Sequence, residues 1–433
     1  MEKTHFQNYR KYLIPNMVSM ALLAVYTFTD SFVIGQKLGS TALGAMGICT
    51  PVITLTYAFG YFFGQGGAAL YSIAMGREKT EDARRIHNTA LISMLIFGTV
   101  VGILLTVFSH PVSRFLGADE SNMEYVIPYI NVILLGIPIL MAEIFTTCFV
   151  NNDGHPEITM AATVFGVASN VALDFLFVYG FGWGMFGAAF ATVFCSLLGT
   201  VVKLTYIIRK SEGLKISPRY YSFRTLGRTL ENGSASLILE SSSAIVTFVF
   251  ISQAIRYYGE SGSVIYTIIL NWALIAVNFV IGVAEAAQPL ISISYGQGNK
   301  KNQKNYLMDS MMVALLIGLL FIAVGYMFTD GLVRIFANDN KEITDMTVQA
   351  FRLYMPAFLL MGISITIGSY FQAIEKPKEA FTIMLSRGIA LPVLLAFILP
   401  SISQSSSLWL ATPLSELIAA FLALALLRKS VRN

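Results

Sequence analysis

Tyr26-Thr27-Phe28-Thr29-Asp30-Ser31-Phe32-Val33-Ile34-Gly35 decides how this chain is read. It sets one carboxylate inside an apolar run that extends from Leu13 to Ile34 and resumes beyond Leu38. About 20 apolar residues in a row is the length that crosses a bilayer as a helix. An isolated carboxylate at that depth costs roughly 2.5 to 3.5 kcal/mol even on the lenient insertion scale. An ion or a proton is the usual partner that offsets such a cost, so Asp30 is a candidate functional position and the rest of the chain must supply its partners.

Working outward, the 433 residues are 55% hydrophobic and only 12% charged, against about a quarter charged in a soluble domain. Apolar runs recur from end to end, which predicts an all-α polytopic membrane protein with twelve transmembrane helices. The spans fall at about 12–36, 42–75, 87–109, 126–149, 157–180, 186–208, 234–257, 263–295, 306–328, 348–372, 379–400 and 406–427. The second and eighth are long for a bilayer and imply tilt, a kink or an extension beyond it, with Gly60, Gly64, Gly66 and Gly67 as weak points in the second. Cys49, Cys148 and Cys195 all lie in apolar runs without ligand spacing and read as small core residues. Glu2, Lys3, His5, Arg10 and Lys11 precede a long apolar run that has no small-residue cleavage site. The first helix is therefore expected to stay in the mature protein.

The net charge of +4 could suggest nucleic acid, but the placement of the charges argues against it. Lys and Arg gather in alternate loops: at the N-terminus, at Arg77–Arg85, at Arg209–Arg228, at Lys300–Lys304, at Lys376 and Lys378, and at Arg428–Arg432. The opposite side holds only Lys37, Arg114, Arg256, Arg334, Lys341 and Arg352. That asymmetry reports orientation, with both termini cytoplasmic in a cell (inner) membrane, and no nucleic-acid partner.

The chain also repeats itself at an offset of about 220 residues. Gly76 matches Gly296, and Phe115-Leu116-Gly117-Ala118-Asp119 matches Ile335-Phe336-Ala337-Asn338-Asp339. Pro138 matches Pro356, Asp153-Gly154-His155-Pro156 matches Ile374-Glu375-Lys376-Pro377, and Ala191-Thr192 matches Ala411-Thr412. Six spans per repeat is an even number, so the halves enter the membrane the same way round. A parallel tandem repeat of two six-helix lobes is a transporter architecture. The expected division is residues 1–208 as N-lobe, 209–230 as a basic, amphipathic linker along the inner leaflet, and 231–433 as C-lobe.

Depth, counted from the outer ends of the spans, gathers the polar residues into layers. Asp30 and Asp174 each lie about seven residues in, and Thr192 about six. Asn170 stands one turn from Asp174 on the same helix face, and Tyr26 one turn below Asp30. Two carboxylates, an amide oxygen and a hydroxyl make a hard-oxygen set suited to Na⁺. The same pair of acids could share a proton instead. The C-lobe positions at the same offset are Phe250, Leu391 and Leu395, so one cation site, in the N-lobe, is expected. Glu143, Glu240, Glu285 and Glu416 form a second layer nearer the inner ends. In a central cavity, Glu240, Glu285 and Glu416 would handle organic cations or protons, with Glu240 opening span seven among Ser236, Ser241, Ser242 and Ser243. The alternative for these acids is local pairing, with Arg387 or Lys203 for instance.

At this point the sequence resembles the multidrug and toxic compound extrusion (MATE) family over essentially its whole length. The residues that carry the resemblance are Asp30–Gly35 with Leu43-Gly44-Ala45, Asn170-Val171-Ala172-Leu173-Asp174 and Gly187–Thr192. Ala287-Gln288-Pro289-Leu290, Tyr295-Gly296, Arg387 with Pro392, and Trp409 with Pro413 and Glu416 extend it toward the bacterial drug-exporter branch. The resemblance implies a V-shaped twelve-helix antiporter that exports cationic or amphipathic compounds against Na⁺ or H⁺. It assigns the cation to Asp30, Asn170, Asp174 and Thr192, adds the backbone carbonyl near Ala188, and gives Glu240 a C-lobe role. The span-ten aspartate of some members has no counterpart, Met361 standing near its place.

The expected function is a cation-coupled multidrug exporter working by alternating access, with no cofactor beyond its coupling ion, no obligate protein partner and a monomeric state. Its partners would be small organic cations and the lipid bilayer. A lipid-linked precursor flippase of the same superfamily is the alternative, and would need a basic central cavity where this chain is acidic. An enzyme is a further rival, but no His-Glu-x-x-His or Gly-x-Ser-x-Gly falls in a span.

Overall fold

A computed structural model describes residues 5–336 and 341–432. Glu2, Lys3 and the Ala337–Asp339 part of the second repeat lie outside the described residues, as do the side chains of Ile335, Phe336, Arg334, Lys341 and Arg432. Among the described residues, twelve helices long and apolar enough to cross a membrane follow one another. They are α1 (His5–Leu38), α2 (Ser40–Gly76), α3 (Thr80–Val107), α4 (Met123–Asn152), α5 (Pro156–Gly180) and α6 (Gly184–Arg209), then α7 (Phe223–Tyr258), α8 (Ser261–Gly296), α9 (Lys300–Thr329), α10 (Thr344–Ala373), α11 (Pro377–Ile402) and α12 (Ser405–Ser430). A multi-pass membrane protein is thereby established in outline. Nearly all the expected spans lie inside these helices, which run further because polar turns at each end continue the helix beyond the hydrocarbon length.

The largest departure is at α7. It was expected to start near residue 234, yet it begins at Phe223, so Glu240 lies in its middle and does not open it. Only residues 210–222 of the expected linker are a connection, irregular except for one turn at Pro218–Tyr220. They are tied to α3 along their length. Asn88 Nδ2 donates to the Lys215 carbonyl at 2.8 Å, and the Ser217 amide donates back to Asn88 Oδ1 at 2.6 Å. Arg84 Nε donates to the Glu212 carbonyl at 2.9 Å. The first turns of α7 bury Thr225, Thr229 and Asn232, and Asn232 Nδ2 donates to the Gly66 carbonyl of α2 at 3.2 Å. A Cβ on Gly233 would land on the Phe62 carbonyl, so this helix crossing exists only because glycine stands there.

The chain divides into two compact units, residues 14–240 with 292–298, and residues 1–13, 241–291 and 299–433. In the first, α4 is the central helix, packed by α2, α3 and α6. Its buried residues Tyr129, Ile133, Leu134, Ile137, Leu140, Met141, Phe145 and Phe149 leave little of it facing lipid. In the second, α10 plays that part between α9 and α12, and the helix breaks at Pro356, which precedes a restart at Ala357. Proline cannot donate the bond that would carry the helix through.

The repeat persists in the backbone where side chains have changed. Pro156 and Pro377 each open their helix at its first turn. Glu78 (φ 60°) and Gly298 (φ 71°) hold the same left-handed turn, as do Gly154 (φ 94°) and Glu375 (φ 56°). Both fifth helices also contain a π turn, at Phe175–Gly180 and at Ser386–Ala390.

Candidate functional site

Asp30 on α1, Asn170 and Asp174 on α5 and Thr192 on α6 converge inside the first unit, all of them buried. The α5 pair shares a face because the two residues are one turn apart. The π turn starts directly after Asp174, a local widening that commonly marks functional positions in helices.

The Asn170 amide stands between the two acids. With its nitrogen turned toward them it donates to Asp30 Oδ1 and to Asp174 Oδ2, each at 3.2 Å. With its oxygen turned toward them it adds a further oxygen to a cluster of carboxylate oxygens. The two carboxyl groups are also within hydrogen-bonding reach of each other. Two carboxylates at that range repel unless a proton or a cation lies between them. Thr192 Oγ1 lies 3.5 Å from Asp30 Oδ2 and donates to the Ala188 carbonyl at 3.2 Å. Tyr26 completes the group, its phenol within reach of Asp30 and Thr192. Asp174 Oδ1 is buried without a hydrogen-bond partner among the described residues, which leaves one acceptor of the cluster open.

Below this cluster, still within the first unit, lies a cavity of about 80 Å³. Tyr26 and Thr192 line it from the cluster end, and Tyr57, Ser196, Gly199 and Glu143 line it further along. Glu143 is paired. Lys203 Nζ donates to its Oε1 at 3.0 Å, to its backbone carbonyl at 2.8 Å and to Thr147 Oγ1 at 2.7 Å. Local pairing with Lys203, an alternative the sequence left open, therefore describes Glu143.

The other acids of the second layer are not gathered with it. Glu240 on α7 is half-buried and closes the first unit, and Glu285 on α8 is half-buried in the second. Glu416 on α12 is buried and bound by Arg387 of α11, with Nη2 at 2.5 Å from Oε1 and Nε at 3.3 Å from Oε2. Ser364 of α10 donates to Glu416 Oε2 at 2.8 Å. Glu416 was expected to face substrate or a proton in a central cavity, but its carboxylate is taken up by a forked ion pair inside the second unit, because Arg387 reaches it from the neighbouring helix. Phe250, the counterpart of Asp30, is fully buried and stacks on Tyr266 at 5.3 Å, and Met361 is buried.

Sequence reasoning missed Tyr57, Ser196 and Gly199. The available signal was the spacing 192, 195, 196, 199 and 203 on α6, a single helix face of small and polar residues running from Thr192 to Lys203.

Comparison with known proteins bears on the family and the fold. The family model described as MatE matches residues 15–176 and 234–398. A multidrug export protein MepA of Staphylococcus saprophyticus is 23% identical over 395 residues, covering 90% of this chain and 86% of its own length. The MepA of Staphylococcus haemolyticus is 21% identical over 434 residues, covering 100% of this chain and 95% of its own. Among solved structures, a MATE protein in complex with MaL6 superposes with a TM-score of 0.93 at 22% identity, over 99% of this chain and 97% of that one. An outward-facing multidrug resistance MATE family transporter of the MOP superfamily superposes at 0.92, also 22% identical, over 99% and 96%. With the family model matched over most of both repeats, the chain belongs to the MatE family.

Proposed function

We propose that this protein is a secondary active exporter, coupling inward movement of Na⁺ or H⁺ to outward movement of cationic and amphipathic organic compounds by alternating access. The relatives named multidrug export proteins make it a transporter and not an enzyme. The observation that carries the coupling reading is the meeting of Asp30 and Asp174, buried on two different helices, across Asn170. The donor set fits either ion. The open Asp174 Oδ1, the other carboxylate oxygens, the Asn170 oxygen and the Thr192 hydroxyl are hard oxygens for Na⁺. The contact between the carboxyls suits a shared proton equally well.

The mechanism follows from charge. With no cation the two acids repel, and that repulsion acts between α1 and α5, the helices that carry them. A cation arriving from the outer side neutralises the pair and lets α1 approach α5 and α6, which changes the face α1 offers to substrate and releases it outward. Inward flow of each positive charge is favoured by about 2.3 kcal/mol per 100 mV of membrane potential. Glu240 and Glu285 are the acids assigned to organic cations. Glu416, held by Arg387, serves instead to fix α10, α11 and α12. The protein sits in the cytoplasmic membrane with both termini inside, and works as a monomer.

The test is efflux of ethidium from proteoliposomes with the Na⁺ gradient and the pH gradient imposed separately, for wild type, Asp30→Asn and Asp174→Asn. Efflux driven by one gradient in wild type and lost in both variants is the expected result, and the gradient that drives it names the ion. Wild-type rates in Asp30→Asn would remove the mechanism.

A further inference from the structure

We propose that Glu143, backed by Lys203, is a second cation-handling station, joined to the Asp30–Asp174 cluster by a water-filled file inside the first six-helix unit. The inference rests on the cation-coupled reading above and deepens it by naming the route the ion takes after leaving the cluster.

Three observations carry it. The first is continuity. Tyr26 and Thr192 belong to the cluster and also line the cavity, whose far wall includes Glu143. On α6 the lining residues Thr192, Cys195, Ser196 and Gly199 form one face that continues to Lys203. On α5, Ala162, Thr163, Gly166 and Val167 form a face that continues to Asn170 and Asp174. The two stripes lead in opposite directions from one cavity, to an ion pair at one end and an acid pair at the other. Thr192 and Lys203 are separated by about 16 Å at 1.5 Å per residue, further than a cation jumps through hydrocarbon.

The second is room for water. The cavity's 80 Å³ holds about three waters at the roughly 30 Å³ each that liquid water occupies. The hydroxyls of Tyr26, Tyr57, Thr163 and Ser196 supply the polar partners such waters require.

The third is the asymmetry of the ion pair. The Glu143 side chain keeps 25% of its surface open, whereas Lys203 keeps 1%. All three Lys203 protons are already donated within the pair and to Thr147. The lysine therefore offers nothing to an anion, and the carboxylate is the group that faces the cavity. A lone carboxylate there would hold a cation too tightly to pass it on, and the lysine charge behind it weakens that hold. For a proton, the waters of the file carry it from the cluster past the Glu143 carboxylate to water at the far end. For Na⁺, the hydrated ion makes the same passage without a bond breaking.

The test compares wild type with two variants and uses Asp30→Asn as the reference. Glu143→Gln/Lys203→Met removes both charges together, so no buried charge is left alone. Gly166→Ala/Gly199→Ala narrows the cavity and leaves every charge in place. The added methyls meet ordinary neighbours, the Cys195 carbonyl at 3.8 Å for residue 166, and the Ala162 carbonyl at 3.6 Å and Glu143 Oε1 at 3.9 Å for residue 199. Ethidium binding to purified protein and gradient-driven ethidium efflux are measured for each. The charge-neutral variant is expected to bind ethidium as wild type does while its driven efflux falls at least tenfold, and the glycine variant to fall between the two. Wild-type driven efflux in the charge-neutral variant, with Asp30→Asn inactive, overturns this inference alone and leaves the pair as a tie between α4 and α6. Wild type that responds to neither gradient overturns the coupling reading and this inference with it. If the charge-neutral variant no longer binds ethidium, the glycine variant decides, and a wild-type driven rate there overturns the file.

Discussion

Removing Glu416 alone should be among the most damaging single changes in the second unit. Its carboxylate takes two bonds from Arg387, at 2.5 and 3.3 Å, and one from Ser364 at 2.8 Å. The two side chains keep only 8% and 4% of their surface, so Glu416→Ala strands a guanidinium that cannot reach water. Breaking a buried pair from one side costs about 3–5 kcal/mol, a large share of a typical total of about 5–15 kcal/mol. Arg387→Met/Glu416→Leu removes both charges and keeps the volume, and Ser364 Oγ retains the Met361 carbonyl at 3.1 Å as its acceptor. Its cost should stay below about 1.5 kcal/mol, the range of volume-conserving core exchanges. The assay is the midpoint of unfolding by a denaturing detergent, followed by size-exclusion of the remaining folded protein. A single variant within about 1 kcal/mol of wild type, or a double variant as unstable as the single, would refute the reasoning.

Three further outcomes follow from particular contacts. Gly233→Ala should destabilise by about 1–3 kcal/mol in the same assay, because its methyl falls on the Phe62 carbonyl, whereas Gly227→Ala meets nothing within 4 Å and should gain up to about 1 kcal/mol of helix preference. Glu78→Gly and Glu375→Gly, at left-handed positions that their repeat partners fill with glycine, should each raise the midpoint, relieving strain of about 1 kcal/mol. Asp119 accepts bonds from the Ser121 amide at 2.9 Å and hydroxyl at 2.6 Å, which hold its carboxyl below the usual aspartate value. A lowered folded pKa contributes stability above the unfolded value of about 3.9 and loses it as pH falls through the folded one. The thermal deficit of Asp119→Ala should therefore be constant from pH 5 to 8 and shrink below pH 4.

Much of the architecture was legible because membrane helices declare themselves locally. Each apolar run is long enough to be a span in its own right, and the nearly matched bounds of α2, α5, α6 and α8 follow from that. The start of α7 was not legible. Residues 223–233 are polar and basic, and they are helical because Thr225, Thr229 and Asn232 bury against neighbours that hydropathy does not see. The buried polar cluster was half legible. Counting depth brought Asp30, Asp174 and Thr192 to one level, and one helical turn put Asn170 with Asp174. That Asn170 would stand between the two acids, and that Asp174 Oδ1 would be left open, needed the packed helices.

By itself the sequence determined the number and order of the helices and the six-plus-six repeat, and it ranked the intramembrane charges by their distance from the helix ends. These depend on distance along the chain, which a fixed rise per residue converts to height. Only the tertiary structure decided the partners: Arg387 with Glu416, Lys203 with Glu143, and Asp30 with Asp174 through Asn170. Each partnership depends on the rotation of a helix about its own axis, which turns by about 100° per residue. That rotation is fixed by close contacts between helices, such as Gly66 and Gly233. Height in the membrane is written along one helix, whereas the direction a side chain faces is settled only when its neighbours have been placed.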